Sequence, residues 1–440
     1  MRKLMLMIGI ISFALAAYAQ VPLTLQEAMK VGLENSKSLK IADLSAVSAE
    51  AKYHEANSNR WASLSFQGRY TRQSEIPPSV LTLPVTIPGV GNSFQISPNV
   101  FDNYTLQLTV QQPIFTGLEL ENSSKAAKDN AEAAGYDSKT DELSLKVQIA
   151  TAYWNVYNAM NAVEYMQENL DRTKSHYEQA ENLLAQGMLT QSDVLSEKVQ
   201  ISNSELSLLN AKNNLRLAEV ALNNVLGVPL TTEYKIESQP QVGDTTVPDI
   251  GELLRTALDR RSDLQSSKLR AEAASALVAA AYGAYLPQVS VTGNFYYEKP
   301  NQRYFPTQNV FKNTWDAGLV FSLPIWNWGN TQSKVDDARA TEQQAELALQ
   351  QTADATYLDV TQSYLNFKQA KDKIGVTETA VKDAEESYRI FKQKFDAGLV
   401  TNTDLLDAEV VLLQAKLNYS QALTDLEIAR VNLDKATGQF

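Results

Sequence analysis

Two hydrophobic periodicities alternate along this 440-residue chain. Long stretches repeat an apolar residue every seven positions, which predicts helices that pack as coiled coils. The clearest examples are Val194, Ile201, Leu208, Leu215 and Leu222, and then Leu405, Leu412, Tyr419, Leu426 and Leu433. Four short segments instead alternate apolar and polar residues, which predicts strands. These strands are expected at 63–71, 104–111, 288–297 and 314–323.

The helical segments are unusually long. Residues 119–185 contain no proline, and as one helix they would extend roughly 100 Å. A shorter helix is expected to follow Gly187 and to end at Gly227. Further helices are expected at 24–60, 249–284, 330–396 and 401–437. The chain is therefore expected to be mainly α-helical, with a small β part.

The chain repeats itself. Residues 187–195 reappear as residues 398–406, a shift of 398 − 187 = 211. A constant shift predicts a duplicated structural unit. We expect two repeats of helix–strand–strand–helix–turn–helix, and the expected domains are repeat 1 (20–228), a linker (229–248) and repeat 2 (249–440).

The first 19 residues have the pattern of a signal peptide. Arg2 and Lys3 precede an apolar run, and Ala17-Tyr18-Ala19 forms a cleavage site. The protein is therefore expected to be exported. It contains no cysteine, which excludes disulfides, thiolate metal sites and a lipid-modified cysteine.

The formal net charge is −12, and no basic stripe stands out, so nucleic-acid binding is not expected. After the signal peptide, no apolar run is long enough for a transmembrane helix. No catalytic set or phosphate-binding fingerprint occurs, and His54 and His176 lack a partner at ligand spacing. We therefore expect no enzyme activity, no metal and no cofactor.

The strands have one apolar and one polar face. This alternation fits either a sheet on a protein core or a transmembrane barrel. Aromatic residues near the strand ends would suit the membrane interface. A barrel of four strands per chain would need several subunits, because free strand edges cannot face lipid. The residues expected to face lipid are Leu64, Phe66, Leu106, Leu108, Val289, Val291, Leu319 and Phe321.

The loop at 72–103 is longer than the loop at 298–313 and is rich in proline and serine. Such a composition does not build a core, so this loop is expected at a surface.

These features together resemble the TolC-type outer-membrane factors over residues 20–440. The most specific mark is the Gly-Leu/Met-x-Thr-x-x-Asp-Val/Leu-Leu pattern, which occurs twice. Supporting marks are Pro113-Ile114-Phe115, Pro324-Ile325-Trp326 and Leu286-Pro287. The resemblance implies a homotrimer in the outer membrane of a Gram-negative-type cell. Three chains would close a twelve-stranded β-barrel, and their long antiparallel coiled-coil helices would form a periplasmic α-barrel.

The resemblance also implies a periplasmic adaptor, an inner-membrane pump and a gate. Asp404 and Asp407 would line the periplasmic constriction as carboxylate rings with some raised pKa values, and Asp193 would help to tie the tip together. Helix capping is the alternative for Asp404. The tip residues Gly187, Met188, Leu189, Gly398, Leu399 and Val400 would contact the adaptor, or serve only as turn residues.

The chain departs from the family pattern where some members use a tyrosine and an arginine to hold the tip closed. Phe395 and Val400 stand at those positions. Closure would then rest on apolar contacts of Phe395, Leu399 and Val400, or on Lys392 or Lys394 as the cation.

Three functions remain open from the sequence: a duct for small-molecule efflux, a secretion duct for unfolded polypeptides, and a soluble exported coiled-coil scaffold.

Overall fold

The computed structural model of the chain describes residues 21–75, 80–96, 100–240 and 249–440. The expected signal peptide lies outside the described residues, as does part of the expected linker. The α-helices of the described chain are α1 (Leu25–Asn35), α2 (Lys37–Ser58), α3 (Glu119–Ala185), α4 (Gln191–Leu226), α5 (Ile250–Arg260), α6 (Ser262–Tyr282), α7 (Asn330–Asp396) and α8 (Asn402–Thr437). A short 3-10 turn, Gly283–Tyr285, follows α6.

The described strands include four long ones near the expected positions and four short ones. In chain order they are β1 (Val21–Leu23), β2 (Ser63–Arg72), β3 (Val80–Ile87), β4 (Gly91–Gln95), β5 (Asp102–Phe115), β6 (Tyr234–Ile236), β7 (Gln288–Lys299) and β8 (Lys312–Ser322).

Two predicted helices are each broken by one extended residue. The single helix expected at 24–60 is wrong, because Ser36 separates α1 from α2 with ψ of 121°. Its hydroxyl accepts a hydrogen bond from the Leu39 N–H at 3.2 Å, as a side chain at a helix start does. The single helix expected at 249–284 is wrong in the same way, because Arg261 separates α5 from α6 with ψ of 126°.

Contacts group the chain into two compact units. The first contains residues up to 44, 136–265 and 351–440, and the second contains residues 45–135 and 266–350. One core of the first unit surrounds Tyr153, whose hydroxyl donates to the Leu23 carbonyl at 2.8 Å and accepts from the Ser238 N–H at 3.0 Å. Beside it, β1 pairs in parallel with β6, a contact that the sequence did not predict.

The heptad stripes of α4 and α8 are mostly buried, as the seven-residue period predicts. In α8 the large residues alternate with alanines, which let neighbouring helices approach closely. The buried members in α8 are Leu405, Ala408, Leu412, Ala415, Ala422, Leu426, Ala429, Leu433 and Ala436.

The second unit contains a four-stranded antiparallel sheet in the order β2-β5-β7-β8. Leu106 of β5 pairs with Tyr297 of β7, which lies 297 − 106 = 191 residues further along the chain, so the central pair joins the two expected repeats. β2 and β8 form the two edges. In the described chain no helix is long and apolar enough to cross a bilayer.

The long loop after β2 has more structure than the sequence suggested. β3 and β4 form an antiparallel hairpin within it, with Thr82 opposite Ser93. Its side chains are largely exposed, which agrees with the expectation that this segment builds no core.

Candidate functional site

The same turn joins α3 to α4 and α7 to α8. Gly187 and Gly398 follow the two long helices in the left-handed conformation, with φ of 76° and 72°. Each donates its N–H to a carbonyl of the last helical turn at 2.9 Å, as does the residue after it. This is a Schellman-type helix end, which favours glycine because it lacks a Cβ. The two expected tips therefore have equivalent backbones, as their shared sequence predicts.

A reciprocal cap starts the helix after each turn. The Thr401 hydroxyl accepts from the Asp404 N–H at 3.3 Å, while Asp404 Oδ2 accepts from the Thr401 N–H at 2.8 Å. Thr190 and Asp193 make the same pair of bonds at 3.3 and 2.8 Å. Hydrogen bonds from the threonines lower the pKa of both carboxyl groups. The capping alternative for Asp404 is thus present in the structure. In the single chain the pKa of Asp404 is lowered, whereas the carboxylate ring was expected to raise some pKa values.

The other expected gate and docking residues differ in exposure. Asp407 is exposed one turn after Asp404. Leu399 is 74% exposed and Met188 63%, whereas Phe395 is only 6% exposed. Phe395 therefore packs inside the chain, Met188 and Leu399 lie open to contact, and Leu189 and Val400 are half-buried. The constriction and the adaptor contact themselves stay predictions.

Between the two hairpins lies a set of polar contacts that the sequence did not reveal. We call it the polar seam; its residues are Arg172, His176, Glu197, Tyr388, Asn402 and Glu409. Arg172 Nε of α3 donates to Glu409 Oε1 of α8 at 3.1 Å. His176 Nε2 and the Tyr388 hydroxyl share a hydrogen bond at 3.1 Å. Asn402 donates to Glu197 Oε1.

Burial shifts the protonation of the polar seam. It lowers the pKa of His176 from 6.5 to about 4, helped by the positive charges of Lys392 and Arg172. Burial also raises the pKa of Glu409, against the lowering effect of Arg172, and raises that of Glu197. His176 Nδ1 and Glu197 Oε2 have no hydrogen-bond partner within the described part of the chain. The polar seam therefore contains three desolvated groups with shifted pKa values, His176, Glu197 and Glu409.

One signal in the sequence, which the sequence analysis did not use, could have led to the polar seam. The 211-residue shift aligns Glu197 of α4 with Ala408 of α8. Both are buried at the small-residue position of the heptad. A glutamate where an alanine is expected indicates a partner from another helix, since an unpaired buried charge is costly.

The register of the sheet gathers the expected lipid-facing residues on one face. Phe66 lies opposite Leu108, and Val291 opposite Leu319. Leu319 is 68% exposed, so this apolar face is not covered by the chain itself. The opposite face carries Gln107, Thr109, Asn294 and other polar residues. Large uncovered apolar surfaces of this kind mark a contact with a membrane or another protein.

Aromatic side chains concentrate at both ends of the apolar face. At the loop end, the rings of Tyr297 and Phe311 stack with centroids 4.9 Å apart, and Tyr104 lies 5.9 Å from Phe311. At the helix end, Trp61, Trp326 and Trp328 are exposed. Only the aromatic residues of the loop end were anticipated from the strand pattern. The tryptophans of the helix end follow or precede the strands and were missed.

The two histidines do not form a ligand cluster. His54 is exposed and lies 3.3 Å from Glu50, one turn away. Over the described ranges, no group of three or more histidine and acidic side chains is placed to hold a metal ion.

Long capped helical hairpins and a four-stranded sheet with an exposed apolar face are the features by which this chain can be compared with known proteins. The outer membrane efflux protein family matches residues 29–228 and 253–439. The chain belongs to this family, which is a family of outer-membrane transport proteins.

Among its relatives is the outer membrane protein TolC of Escherichia coli, which is 24% identical over 314 residues. That match covers 68% of this chain and 62% of TolC, less than two thirds of TolC's length. The cation efflux system protein CusC of Escherichia coli is 22% identical over 354 residues, covering 79% of this chain and 71% of CusC.

The fold likeness covers more of the chain than the sequence likeness. A crystal structure of CusC superimposes with a TM-score of 0.79 at 18% identity, and covers 95% of this chain and 93% of CusC. This likeness establishes a shared fold of helical hairpins with a small sheet.

Proposed function

We propose that three copies of this chain form a passive export duct through the outer membrane. Each copy contributes its four-stranded sheet to a twelve-stranded barrel, and the helical hairpins form a tunnel in the periplasm. The observation that carries this proposal is the sheet itself, which has an exposed apolar face in register and two edge strands that no other strand of the described residues pairs with.

The open edges argue for the trimer. In the hydrocarbon core of a bilayer, unpaired backbone groups of an edge strand have no water to bind, so a spanning sheet must close. Bacterial barrels have at least eight strands, and one chain supplies four to this sheet. Pairing β8 of one copy with β2 of the next removes every edge. Three copies reach the twelve strands that the family resemblance implies.

The tip and the partners complete the proposal. Asp404 and Asp407 line the periplasmic constriction as carboxylate rings, which attract cations. Asp404 caps α8 at the same time, because only one of its oxygens accepts the bonds from Thr401. An inner-membrane pump supplies the energy, and its periplasmic adaptor docks on the exposed tip around Met188 and Leu399. The cargo is a small molecule.

Electrical recording of the purified mature protein in planar bilayers tests the duct. We expect a small, cation-selective conductance that grows and loses selectivity in Asp404→Asn/Asp407→Asn. Asp383→Asn, which removes an exposed carboxylate of α7, serves as the matched control and should leave the current unchanged. If the conductance and selectivity are unchanged by the two tip substitutions, the protein is still a duct, but Asp404 and Asp407 are not its gate. A well-folded protein that leaves the membrane fraction on carbonate washing would instead support the soluble scaffold.

The face assignment has its own test. Leu106→Arg or Leu319→Arg places a charge in lipid near the middle of the bilayer and should cost roughly 2–4 kcal/mol of barrel stability. Gln107→Arg, on the adjacent position of β5, points to the lumen and should assemble normally. Equal assembly of these variants, measured as heat-resistant trimer on gels, would contradict the barrel.

A further inference from the structure

The loop between β7 and β8, residues 300–311, folds back against the polar face of the sheet. Asn301 anchors it and is only 1% exposed. Its amide donates to the Lys312 carbonyl at 3.2 Å and to the Thr314 hydroxyl at 3.1 Å, and its own oxygen accepts from the Arg303 N–H at 2.9 Å. The anchor fixes where the Arg303 side chain starts.

Arg303 then extends along the polar face away from the loop end. Its guanidinium group pairs with Asp316 and lies 4.8 Å from the centroid of the Tyr296 ring. Asp316 is the fifth residue of β8, about 13 Å from the first at the usual rise of a strand. A loop residue thus places a positive charge well inside the sheet region.

A chain of hydrogen bonds continues from this pair across the sheet. Asn294 of β7 donates to Asp316 Oδ1 at 2.8 Å, and its own oxygen accepts from the Thr109 hydroxyl of β5 at 2.8 Å. Gln107 donates to the same oxygen at 3.2 Å. These hydrogen bonds fix the position of the Asp316 carboxylate and therefore of the ion pair with Arg303.

The charges of the polar face near the loops have a positive balance, in contrast to the net charge of −12 of the whole chain. The strand register and loop contacts place three cations and two carboxylates on this face: Arg69, Arg303 and Lys312, with Glu298 and Asp316.

We propose that Arg303 determines charge selectivity at the loop end of the duct and makes it permissive for anionic small solutes. This rests on the proposed function, in which the polar face lines a water-filled lumen. Without Arg303, the carboxylate of Asp316 would repel anions in this lumen, and the rest of this acidic protein would add to the repulsion. Arg303 offsets that field in each of the three copies, so the loop end of the duct does not exclude negatively charged small solutes.

A single introduced thiol can measure this field, because the chain has no cysteine. Thr292→Cys places the thiol on the polar face beside the Asn294–Asp316 pair. Val291→Cys, the adjacent position, places it on the apolar face and serves as the matched control. Intact cells are treated with membrane-impermeant anionic and cationic methanethiosulfonates of similar size, and the ratio of the two labelling rates is measured.

We expect Arg303→Gln to lower the anionic-to-cationic rate ratio at Cys-substituted Thr292 by about fourfold at low salt, from a unit charge roughly 10 Å away in water. Asp316→Asn should raise the ratio by a similar factor, and Arg303→Lys should preserve it. The Val291→Cys thiol should stay unreactive throughout, since lipid covers it.

The outcomes separate this inference from the duct. If position 292 is labelled but the anionic-to-cationic rate ratio is the same in Arg303→Gln and Asp316→Asn as in the parent protein, the selectivity role of Arg303 is wrong. The proposed duct would not be affected by that result. Equal reactivity at positions 291 and 292 would overturn the lumen assignment and this inference with it. No labelling at 292 in any variant would mean that the loop seals this end, which also contradicts a permissive exit.

Discussion

The two helical hairpins, α3–α4 and α7–α8, agree in local structure and differ in what they bury. The long helices have 67 residues each and the short ones 36 each, with the same glycine turn and the same Thr–Asp cap. At the heptad position where α4 buries Glu197, however, α8 buries Ala408. The cation Arg172 and the imidazole of His176, which is neutral above its pKa of about 4, belong to the first hairpin, and Glu409 belongs to the second.

This difference teaches where duplicated hairpins diverge. Turns and caps are set by a few neighbouring residues, so both copies keep them. The faces on which the hairpins contact each other must be complementary rather than identical, so Arg172 of the first hairpin meets Glu409 of the second, and Glu197 of the first meets Asn402 of the second. A buried ion pair adds little net stability compared with apolar packing, but breaking one is costly. We infer that the polar seam fixes the pairing of the hairpins.

The largest expected effect comes from removing the cation of the polar seam. Arg172→Ala leaves Glu409 buried without its charged partner and should cost about 3–5 kcal/mol of unfolding free energy. Arg389→Ala removes an exposed pair with Glu386 on α7 and should leave the free energy of unfolding almost unchanged, because solvent screens this pair. Denaturant unfolding of the detergent-solubilised protein measures both. Equal losses of unfolding free energy in the two variants would contradict the expectation that the buried pair matters more than the exposed one.

The equivalent heptad positions of the two hairpins can be compared directly. Leu405→Ala in α8 empties a fully buried site and should cost about 2–5 kcal/mol. Val194→Ala in α4 removes fewer carbon atoms from a site that is also buried, and should cost about 2 kcal/mol. The same unfolding assay measures the two losses. A larger loss for Val194→Ala would contradict the equivalence of the two stripes.

Acidification should act on the polar seam through His176. Its pKa is lowered from 6.5 to about 4 by burial among Arg172 and Lys392, although Asp396 acts in the opposite direction. Between these values the unfolded chain binds a proton that the folded chain does not, so stability falls as pH drops from about 6.5 to 4. The full shift corresponds to about 3 kcal/mol.

Glu197 and Glu409, with raised pKa values, oppose this loss, because their folded forms take up protons first. We therefore expect His176→Gln to flatten or reverse the pH dependence of the melting temperature in this window. His54→Gln, at an exposed site, is the control and should not change it. An unchanged profile in His176→Gln would show that this histidine does not titrate with folding.

The smallest expected effect tests the similarity of the hairpins. Thr190→Ala and Thr401→Ala each remove the hydroxyl that caps a short helix, at a cost of about 1 kcal/mol. Hydrogen exchange of the first turns of α4 and α8 should increase equally in the two variants. A clearly unequal response would mean that one tip has support beyond its cap.

Much of the fold could be predicted because its signals are local. The bounds 119–185 and 330–396 were correct to the residue, since each is a long stretch without proline that ends shortly before a turn glycine. The helix breaks at Ser36 and Arg261 were missed because neither residue is a usual helix breaker. Arg261 is held by distant partners, Asp359 Oδ2 at 2.6 Å and the Ala436 carbonyl at 3.2 Å.

The candidate site was predicted in part, because some of its residues contact near neighbours in the sequence and others contact residues far away. The tip glycines and the Thr401–Asp404 cap were readable from spacing, whereas the Thr190–Asp193 cap was not anticipated. The polar seam and the Arg303–Asp316 pair were not, since they join side chains that are far apart in sequence. Asp404 illustrates the limit: the sequence offered capping and gating together, and only capping can be seen in a single chain.

The sequence by itself determined the periodic elements, the duplication, the tip turns and the two-faced strands, because each follows from contacts between near neighbours. Only the tertiary structure decided that β5 pairs with β7, that Glu197 meets Asn402, and that Arg303 extends onto the polar face. These contacts depend on which distant surfaces meet, and their free energy is realised only once the chain has brought them together.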